Sequence, residues 1–156
     1  MEMNIPEAVL ANVATAVAAE TDPQRTMERV VAVLKQQIPG YTWVGIYVLE
    51  GDELVLGPFL GKPSPHTRIP LGRGICGAAA TERRTIIVDD VNDDPRYLAC
   101  SLETASEIVV PIMDGDRVLG EIDIDSDRPA NFGADDRTLL EAVARLLAQR
   151  LATVNL

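Results

Sequence analysis

The spacing of apolar residues changes from a helical period to a strand period near Thr42. Before this point apolar residues recur three and four positions apart, and Asp22-Pro23 offers an N-cap and a first helical residue for a second helix. After it they alternate in short runs separated by turn residues, as in antiparallel hairpins. A final amphipathic segment, ADDRTLLEAVARLLAQRLATV, is typical of a closing helix. This order predicts an α+β fold with the helices gathered on one face of the sheet, which leaves the other face for a ligand.

A chain of 156 residues is long enough for one domain with a hydrophobic core and short for two. We expect a single domain over residues 1–156. Its N-terminal helices are predicted over 1–40, the sheet and its ligand-side loops over 42–126, and the C-terminal helix over 134–153.

The composition restricts the classes of partner. A net charge of −10 argues against binding to nucleic acid or to an anionic membrane, since both require a basic surface. No apolar run is long enough to span a bilayer, and the acidic N-terminus is unlike a secretory signal. Two cysteines are too few for a disulfide scaffold or a cysteine-rich metal site. We therefore expect a cytoplasmic protein with reduced thiols and no metal.

The segment SEIVVPIMDGDRVLGEIDID is the strongest predicted hairpin. A three-residue loop of Asp114, Gly115 and Asp116 would pair Met113 with Arg117 and leave one face entirely apolar. The hydrophobic pattern favours this loop length, because a two-residue loop would mix the two faces.

The same register would place Glu107 opposite Asp123 on the other face, with Glu121 and Asp125 alongside. Like charges directly opposite one another are destabilising, so these acids either face open water or bind a cationic ligand. Trp43 and Tyr47 are spaced to share one face of another strand. An aromatic wall that faces carboxylates suits a small cation or zwitterion.

The stretch LGRGICGAAA contains the spacing G-x-G-x-x-G around Cys76. A dinucleotide loop with this spacing needs a long buried strand before it, whereas the strand here is only TRIPL. We interpret the glycines as a sharp turn into a helix. Cys76 would then lie near a helix N-terminus, where the dipole favours a thiolate, or would be a small buried cysteine.

Cys100 lies in a polar, irregular stretch seven residues before Glu107. Reactive groups are common on loops positioned by a rigid scaffold. This loop can fold back over the acidic face, where Arg96 would help to hold a Cys100 thiolate.

Several motifs together are specific to one family: W-x-G-I-Y-x-L, LVLGPFLGK, RIPLGRGICG, LACS, SEIVVPI and LGEIDIDS. The chain resembles a stand-alone GAF domain, and more closely the free methionine-(R)-sulfoxide reductases. The resemblance implies a six-stranded antiparallel sheet with N- and C-terminal helices on one face. It also assigns candidate roles: Cys100 as the thiol that attacks the sulfoxide, Glu107, Asp123 and Asp125 as the acids that hold the substrate, and Trp43 and Tyr47 as the aromatic wall.

The implied activity is reduction of the R-sulfoxide of free methionine without a metal or organic cofactor, in a homodimer recycled by a thioredoxin-type dithiol. The family usually has a further cysteine between G-K and R-I-P, where this chain has PSPHT with His66 near that position. Either Cys76 resolves the oxidised Cys100, or an external thiol does, or this copy is impaired.

Two other functions are compatible with the sequence. The chain could be a non-catalytic GAF module that binds a small ligand, although a sensor normally needs an output domain and we expect no room for one here. It could also be a thiol redox sensor that uses the same cysteines without turnover.

Overall fold

A computed structural model describes residues 4–98 and 103–152. The predicted nucleophile Cys100 lies outside the described residues. The helices are α1 (Ile5–Ala19), α2 (Pro23–Gln37), α3 (Gly74–Glu82) and α4 (Ala134–Leu151), with a short 3₁₀ turn at Val91–Asp93. The strands are β1 (Trp43–Glu50), β2 (Glu53–Leu60), β3 (Arg68–Pro70), β4 (Ile86–Val88), β5 (Ser106–Asp114) and β6 (Arg117–Ser126).

The six strands form one antiparallel sheet in the order β3-β2-β1-β6-β5-β4. This confirms the predicted α+β fold with a six-stranded antiparallel sheet. The predicted start of α2 is also confirmed: Pro23 is its first residue, and the Asp22 carboxylate accepts a hydrogen bond from the Arg25 backbone N–H at 2.9 Å. None of the helices among the described residues is long and apolar enough to cross a membrane.

Helices α1, α2 and α4 cover one face of the sheet. The core between them and the sheet is aliphatic, and its fully buried members include Val13, Val30, Leu34, Ile46, Ile108, Ile122, Ile124, Leu140 and Leu147. A second buried cluster lies on the opposite face, where α3 packs beside Trp43, Tyr47 and Val109. The chain therefore has a hydrophobic layer on one side of the sheet and a separate, smaller layer on the ligand side.

The predicted register of the β5–β6 hairpin is wrong. The structure closes the hairpin with two residues, Gly115 and Asp116, and pairs Asp114 with Arg117. Gly115 has a φ of +60°, which suits glycine as the first central residue of such a turn.

A β-bulge compensates for the two-residue loop, which with regular pairing would place apolar and acidic residues on the same face of the hairpin. Met113 pairs with Val118 and Ile112 pairs with Gly120, so Leu119 is the extra residue. Most aliphatic residues keep their predicted face, but the bulge turns Leu119 into the helix-side core and Val118 to the ligand side. Glu107 lies opposite Asp125 and not Asp123. The hydrophobic pattern fixes which face a residue occupies, whereas a shift of two residues leaves that pattern unchanged.

At Gly120, β1 and β6 approach each other too closely for a side chain. A Cβ atom built at Gly120 would lie 2.2 Å from the carbonyl oxygen of Tyr47, which is backbone and cannot rotate away. Any larger side chain must separate the two strands locally.

Gly120→Ala is therefore expected to lower the free energy of unfolding by about 2 kcal/mol, because the β1–β6 backbones must shift. Urea denaturation followed by circular dichroism measures this change. Gly133→Ala is the control, since a Cβ at Gly133 meets nothing within 4 Å, and it should cost less than about 1 kcal/mol. Equal stabilities for the two variants would contradict the close approach.

Candidate active site

Alternate residues of β6 place three carboxylates on the ligand face. Glu121, Asp123 and Asp125 are 0%, 3% and 3% exposed. In the β1–β6 pairing they lie opposite Tyr47, Gly45 and Trp43, in that order. The predicted acids and the predicted aromatic wall are thus direct cross-strand neighbours.

Glu107 joins these acids from β5, where it pairs with Asp125 and is 5% exposed. Glu107 and Asp123 line a narrow cavity, which we call the inner cavity. Its other lining residues come from β1, the β2–β3 connection, β3, α3 and the segment after β4: Tyr47, His66, Ile69, Gly74, Ile75, Cys76 and Leu98.

The glycine-rich stretch is a tight turn into α3, as predicted. Gly72 and Gly74 have φ values of +83° and +69°, and a Cβ at Gly77 would lie 2.9 Å from the Gly72 nitrogen. The strand before it, β3, has three residues and pairs antiparallel with β2, so it does not begin a βαβ unit.

Cys76 is the third residue of α3, and its side chain is buried against the acids. The thiol donates a hydrogen bond to the Asp123 carboxylate, with 3.4 Å between Sγ and Oδ2. Burial raises the pKa of the Cys76 thiol, and the charges of Asp123, Glu121 and Glu107 raise it further. Of the two alternatives that the sequence left open for Cys76, the structure therefore supports a small buried cysteine and not a thiolate. Burial and three carboxylates outweigh the helix dipole, which contributes only about 0.3–1 kcal/mol.

The acids also perturb one another. Burial raises the pKa of Glu121, Asp123 and Asp125, and the charge of Asp123 adds to the increase at Glu121 and Asp125. Within the part of the chain that the structure describes, both Glu121 carboxylate oxygens and one oxygen each of Asp123 and Asp125 have no hydrogen-bond partner. Buried carboxylates with unused oxygens are acceptors for a cationic or proton-donating ligand.

The indole ring of Trp43 packs directly against the backbone of two glycines, Gly45 and Gly61. A Cβ at Gly45 would meet the indole at 2.3 Å, and a Cβ at Gly61 would meet it at 2.6 Å. The ring stacks on Phe59 with centroids 5.6 Å apart, and its N–H donates to the Lys62 carbonyl oxygen at 2.9 Å. These contacts fix the indole as a flat wall of the site.

Tyr47 holds the connection between β2 and β3 at His66, four residues after the Trp43 contact at Lys62. Its hydroxyl donates to the His66 carbonyl oxygen at 2.8 Å. His66, which stands near the position of the absent family cysteine, lines the inner cavity. The two aromatic residues thereby hold both ends of this loop against the acidic face.

A second cavity of about 170 Å³ opens beside Trp43 and Asp125, and we call it the outer cavity. Its remaining lining residues are Thr42, Lys62, Glu103, Thr104 and Asp127. The Lys62 ammonium pairs with the Glu103 carboxylate at 2.6 Å. Sequence reasoning missed Lys62 and Glu103, although Lys62 ends the motif LVLGPFLGK.

The residues that flank the predicted nucleophile lie at this face. Leu98 lines the inner cavity, and Glu103 lines the outer cavity. Arg96, expected to help hold a Cys100 thiolate, pairs with Asp94 at 2.7 Å and with Glu82 at 3.8 Å. The hydrogen bond from Arg96 lowers the pKa of Asp94.

One group among the described residues could hold a metal ion. Cys76, Glu107 and Asp123 each offer a ligand atom, and these atoms lie within 4.8 Å of one another. All three residues also line the inner cavity, so a metal here would occupy the predicted substrate site.

Comparison with known proteins agrees with this geometry. The GAF domain model matches residues 22–151. The free methionine-R-sulfoxide reductase of Escherichia coli is 36% identical over 138 residues, which are 88% of this chain and 83% of that protein. This chain belongs to the free methionine-R-sulfoxide reductases of the GAF domain family. The family resemblance seen in the sequence is thereby confirmed.

Two solved structures of family members are close in fold. The enzyme from Neisseria meningitidis in complex with its substrate is 39% identical, with a TM-score of 0.91 over 96% of this chain and 90% of that one. The type II enzyme from Thermoplasma acidophilum is 40% identical, with a TM-score of 0.81 over 84% of this chain and 93% of that one.

The raised pKa of Glu121 predicts how stability depends on pH. Above about pH 4.3 the Glu121 carboxyl loses its proton in the unfolded state, whereas its raised pKa retains the proton in the folded state. The free energy of unfolding contributed by this residue therefore falls as pH rises above that value. Glu121→Gln should raise the free energy of unfolding relative to the parent by about 1 kcal/mol at pH 8 and by less at pH 5. Urea denaturation at several pH values measures the difference.

The matched control is Glu28→Gln, because Glu28 is exposed on α2. Its effect should be small and should not grow with pH. A stability difference for Glu121→Gln that is the same at pH 5 and pH 8 would contradict a raised pKa at Glu121.

Proposed function

We propose that this protein reduces the R-sulfoxide of free methionine to methionine, with Cys100 as the nucleophile. The observation that carries the proposal is the row of buried acids on β6, joined by Glu107 and walled by Trp43 and Tyr47. Membership of the free methionine-R-sulfoxide reductases supports the same reaction.

The acids account for recognition of an amino acid that is not part of a peptide. A free ammonium donates charge-assisted hydrogen bonds, and the unpartnered oxygens of Asp123 and Asp125 are available to accept them. Glu107 lies opposite Asp125 and completes the set of binding carboxylates. Methionine within a chain has no such ammonium, so it would leave these buried acids without a cation.

The reaction transfers oxygen from the substrate to the enzyme. The Cys100 thiolate attacks the sulfoxide sulfur while a carboxyl donates a proton to the sulfoxide oxygen. The hydroxyl then passes from the substrate sulfur to the Cys100 sulfur, as the substrate S–O bond and the new bond between the two sulfurs break. Methionine leaves as the thioether, and Cys100 becomes a sulfenic acid. Because burial raises the pKa of Asp123 and Asp125, a carboxyl of this cluster can hold the proton that the oxygen receives.

Recycling has two candidate thiols. Cys76 lines the inner cavity, and it would condense with the Cys100 sulfenic acid to give a disulfide and water. Its raised pKa makes it a slow nucleophile, so direct attack by an external dithiol is the alternative. In either route a thioredoxin-type dithiol restores the thiol of Cys100 and is itself oxidised to a disulfide.

Three further features belong to the proposal. Residues 1–156 form one GAF domain, the protein is a homodimer, and it acts in the cytoplasm, where thioredoxin-type reductants keep thiols reduced. The low cysteine count supports the reducing compartment, and the dimer rests on the family resemblance. Sedimentation velocity measures the oligomeric state.

The roles of the two cysteines are separable by a single-turnover experiment. Without reductant, the parent protein and Cys76→Ser should each release about one equivalent of methionine, because one sulfenic acid forms per site. Cys100→Ser should release none. Chromatographic quantification of methionine measures the yield, and dimedone labelling detects the sulfenic acid that persists in Cys76→Ser.

Adding a thioredoxin system then identifies the resolving thiol. If Cys76 resolves Cys100, Cys76→Ser stops after one turnover, whereas direct attack by the external dithiol leaves its turnover intact. Methionine release by Cys100→Ser at the parent's level would contradict the proposed nucleophile. Binding of the sulfoxide without any reduction by the parent protein would indicate a non-catalytic module.

A further inference from the structure

A zwitterionic substrate presents a negative as well as a positive group, and the charged groups assigned so far to substrate binding are all acids. Free methionine sulfoxide carries its carboxylate on the same carbon as its ammonium. A pocket that buries the ammonium among carboxylates must therefore keep the substrate carboxylate away from them or pair it with a cation. Among the described residues, Lys62 is the only lysine or arginine that lines the inner or the outer cavity.

The backbone of Lys62 is fixed beside the aromatic wall. Its carbonyl oxygen accepts the hydrogen bond from the Trp43 indole at 2.9 Å. Gly61 packs so closely on the same ring that a Cβ would lie 2.6 Å from it. Trp43 is the cross-strand partner of Asp125, so Lys62 and Asp125 both line the outer cavity next to the indole.

The ammonium of Lys62 already pairs with a carboxylate at the rim of this cavity. Its partner Glu103 lies 2.6 Å away, and the two side chains are 68% and 66% exposed. An exposed ion pair of this kind contributes little to stability, because water screens both charges. Exchange of Glu103 for another carboxylate therefore costs little, while the lysine remains in place at the mouth of the site.

We propose that Lys62 binds the α-carboxylate of the substrate in the outer cavity while Asp125 accepts a hydrogen bond from its ammonium. Lys62 exchanges Glu103 for the substrate carboxylate when the amino acid enters. This inference rests on the proposed function, and it makes Lys62 a specificity determinant for α-amino acids among small sulfoxides. Two opposite charges that line the same cavity as Trp43 recognise the head group, independently of the sulfur chemistry.

The test compares Lys62→Gln and Lys62→Arg with the parent in steady-state reduction of free methionine-R-sulfoxide. Lys62→Gln should raise KM about 10-fold with kcat within about 2-fold, because one charged hydrogen bond to the bound substrate is lost. Lys62→Arg should restore most of the affinity. Lys35→Gln is the matched control, since Lys35 is the only other lysine and lies in the last turn of α2, and its KM should equal the parent's.

A second substrate isolates the carboxylate. The sulfoxide of 3-(methylthio)propan-1-amine keeps the ammonium and lacks the carboxylate. It is measured as a substrate or, where it is not turned over, as a competitive inhibitor of methionine sulfoxide reduction. The KM or inhibition constant of this amine should be the same for the parent and Lys62→Gln, within about 2-fold, because the amine has no carboxylate for Lys62 to bind.

Glu103→Gln separates carboxylate binding from a purely structural ion pair. If Lys62 binds substrate, this variant removes a competitor, and KM stays the same or falls. If Lys62 acts only by holding Glu103, Glu103→Gln raises KM as Lys62→Gln does, and the proposal is overturned. An unchanged KM in Lys62→Gln, with normal turnover by the parent, overturns the proposal for Lys62 and leaves the proposed function standing. Absence of turnover in the parent overturns the proposed function as well.

Discussion

The site depends on the pairing of β1 with β6. This register sets Trp43, Gly45 and Tyr47 opposite three alternate acids, so that the aromatic wall and the carboxylates become neighbours across one ladder. At Gly120 the two backbones come so close that a Cβ atom would meet the carbonyl oxygen of Tyr47. Gly45 is needed for a similar reason, since a side chain at this position would occupy the space of the Trp43 indole.

Burial of several acids is unfavourable, and the other face of the sheet offsets this cost. Three helices cover that face with an aliphatic core, which provides the hydrophobic stabilisation of the domain. Strands β5 and β6 belong to both layers, because Ile108, Ile122 and Ile124 point into the core while the acids beside them point to the ligand side. The raised pKa of the acids and of Cys76 is the electrostatic consequence of this arrangement.

Much of the fold could be predicted from the sequence, because it depends on local signals. The change of apolar period, the Asp22-Pro23 cap and the alternation along β5 and β6 each specify an element or a face. The register of the last hairpin could not be predicted, since from Gly120 onward a two-residue turn with a bulge at Leu119 gives the same faces as a regular three-residue loop. The state of Cys76 and the place of Lys62 depend on contacts between segments distant in sequence, which no local pattern reveals.

We propose above all that the buried carboxylates select a substrate by its free ammonium. Reduction of free methionine-R-sulfoxide and of its N-acetyl derivative, compared as kcat/KM, tests this claim most directly. The account predicts that acetylation lowers kcat/KM by about 100-fold or more, because a neutral amide leaves the buried acids without their cation. Similar values for the two compounds would contradict it, since the acids would then have no part in choosing the substrate.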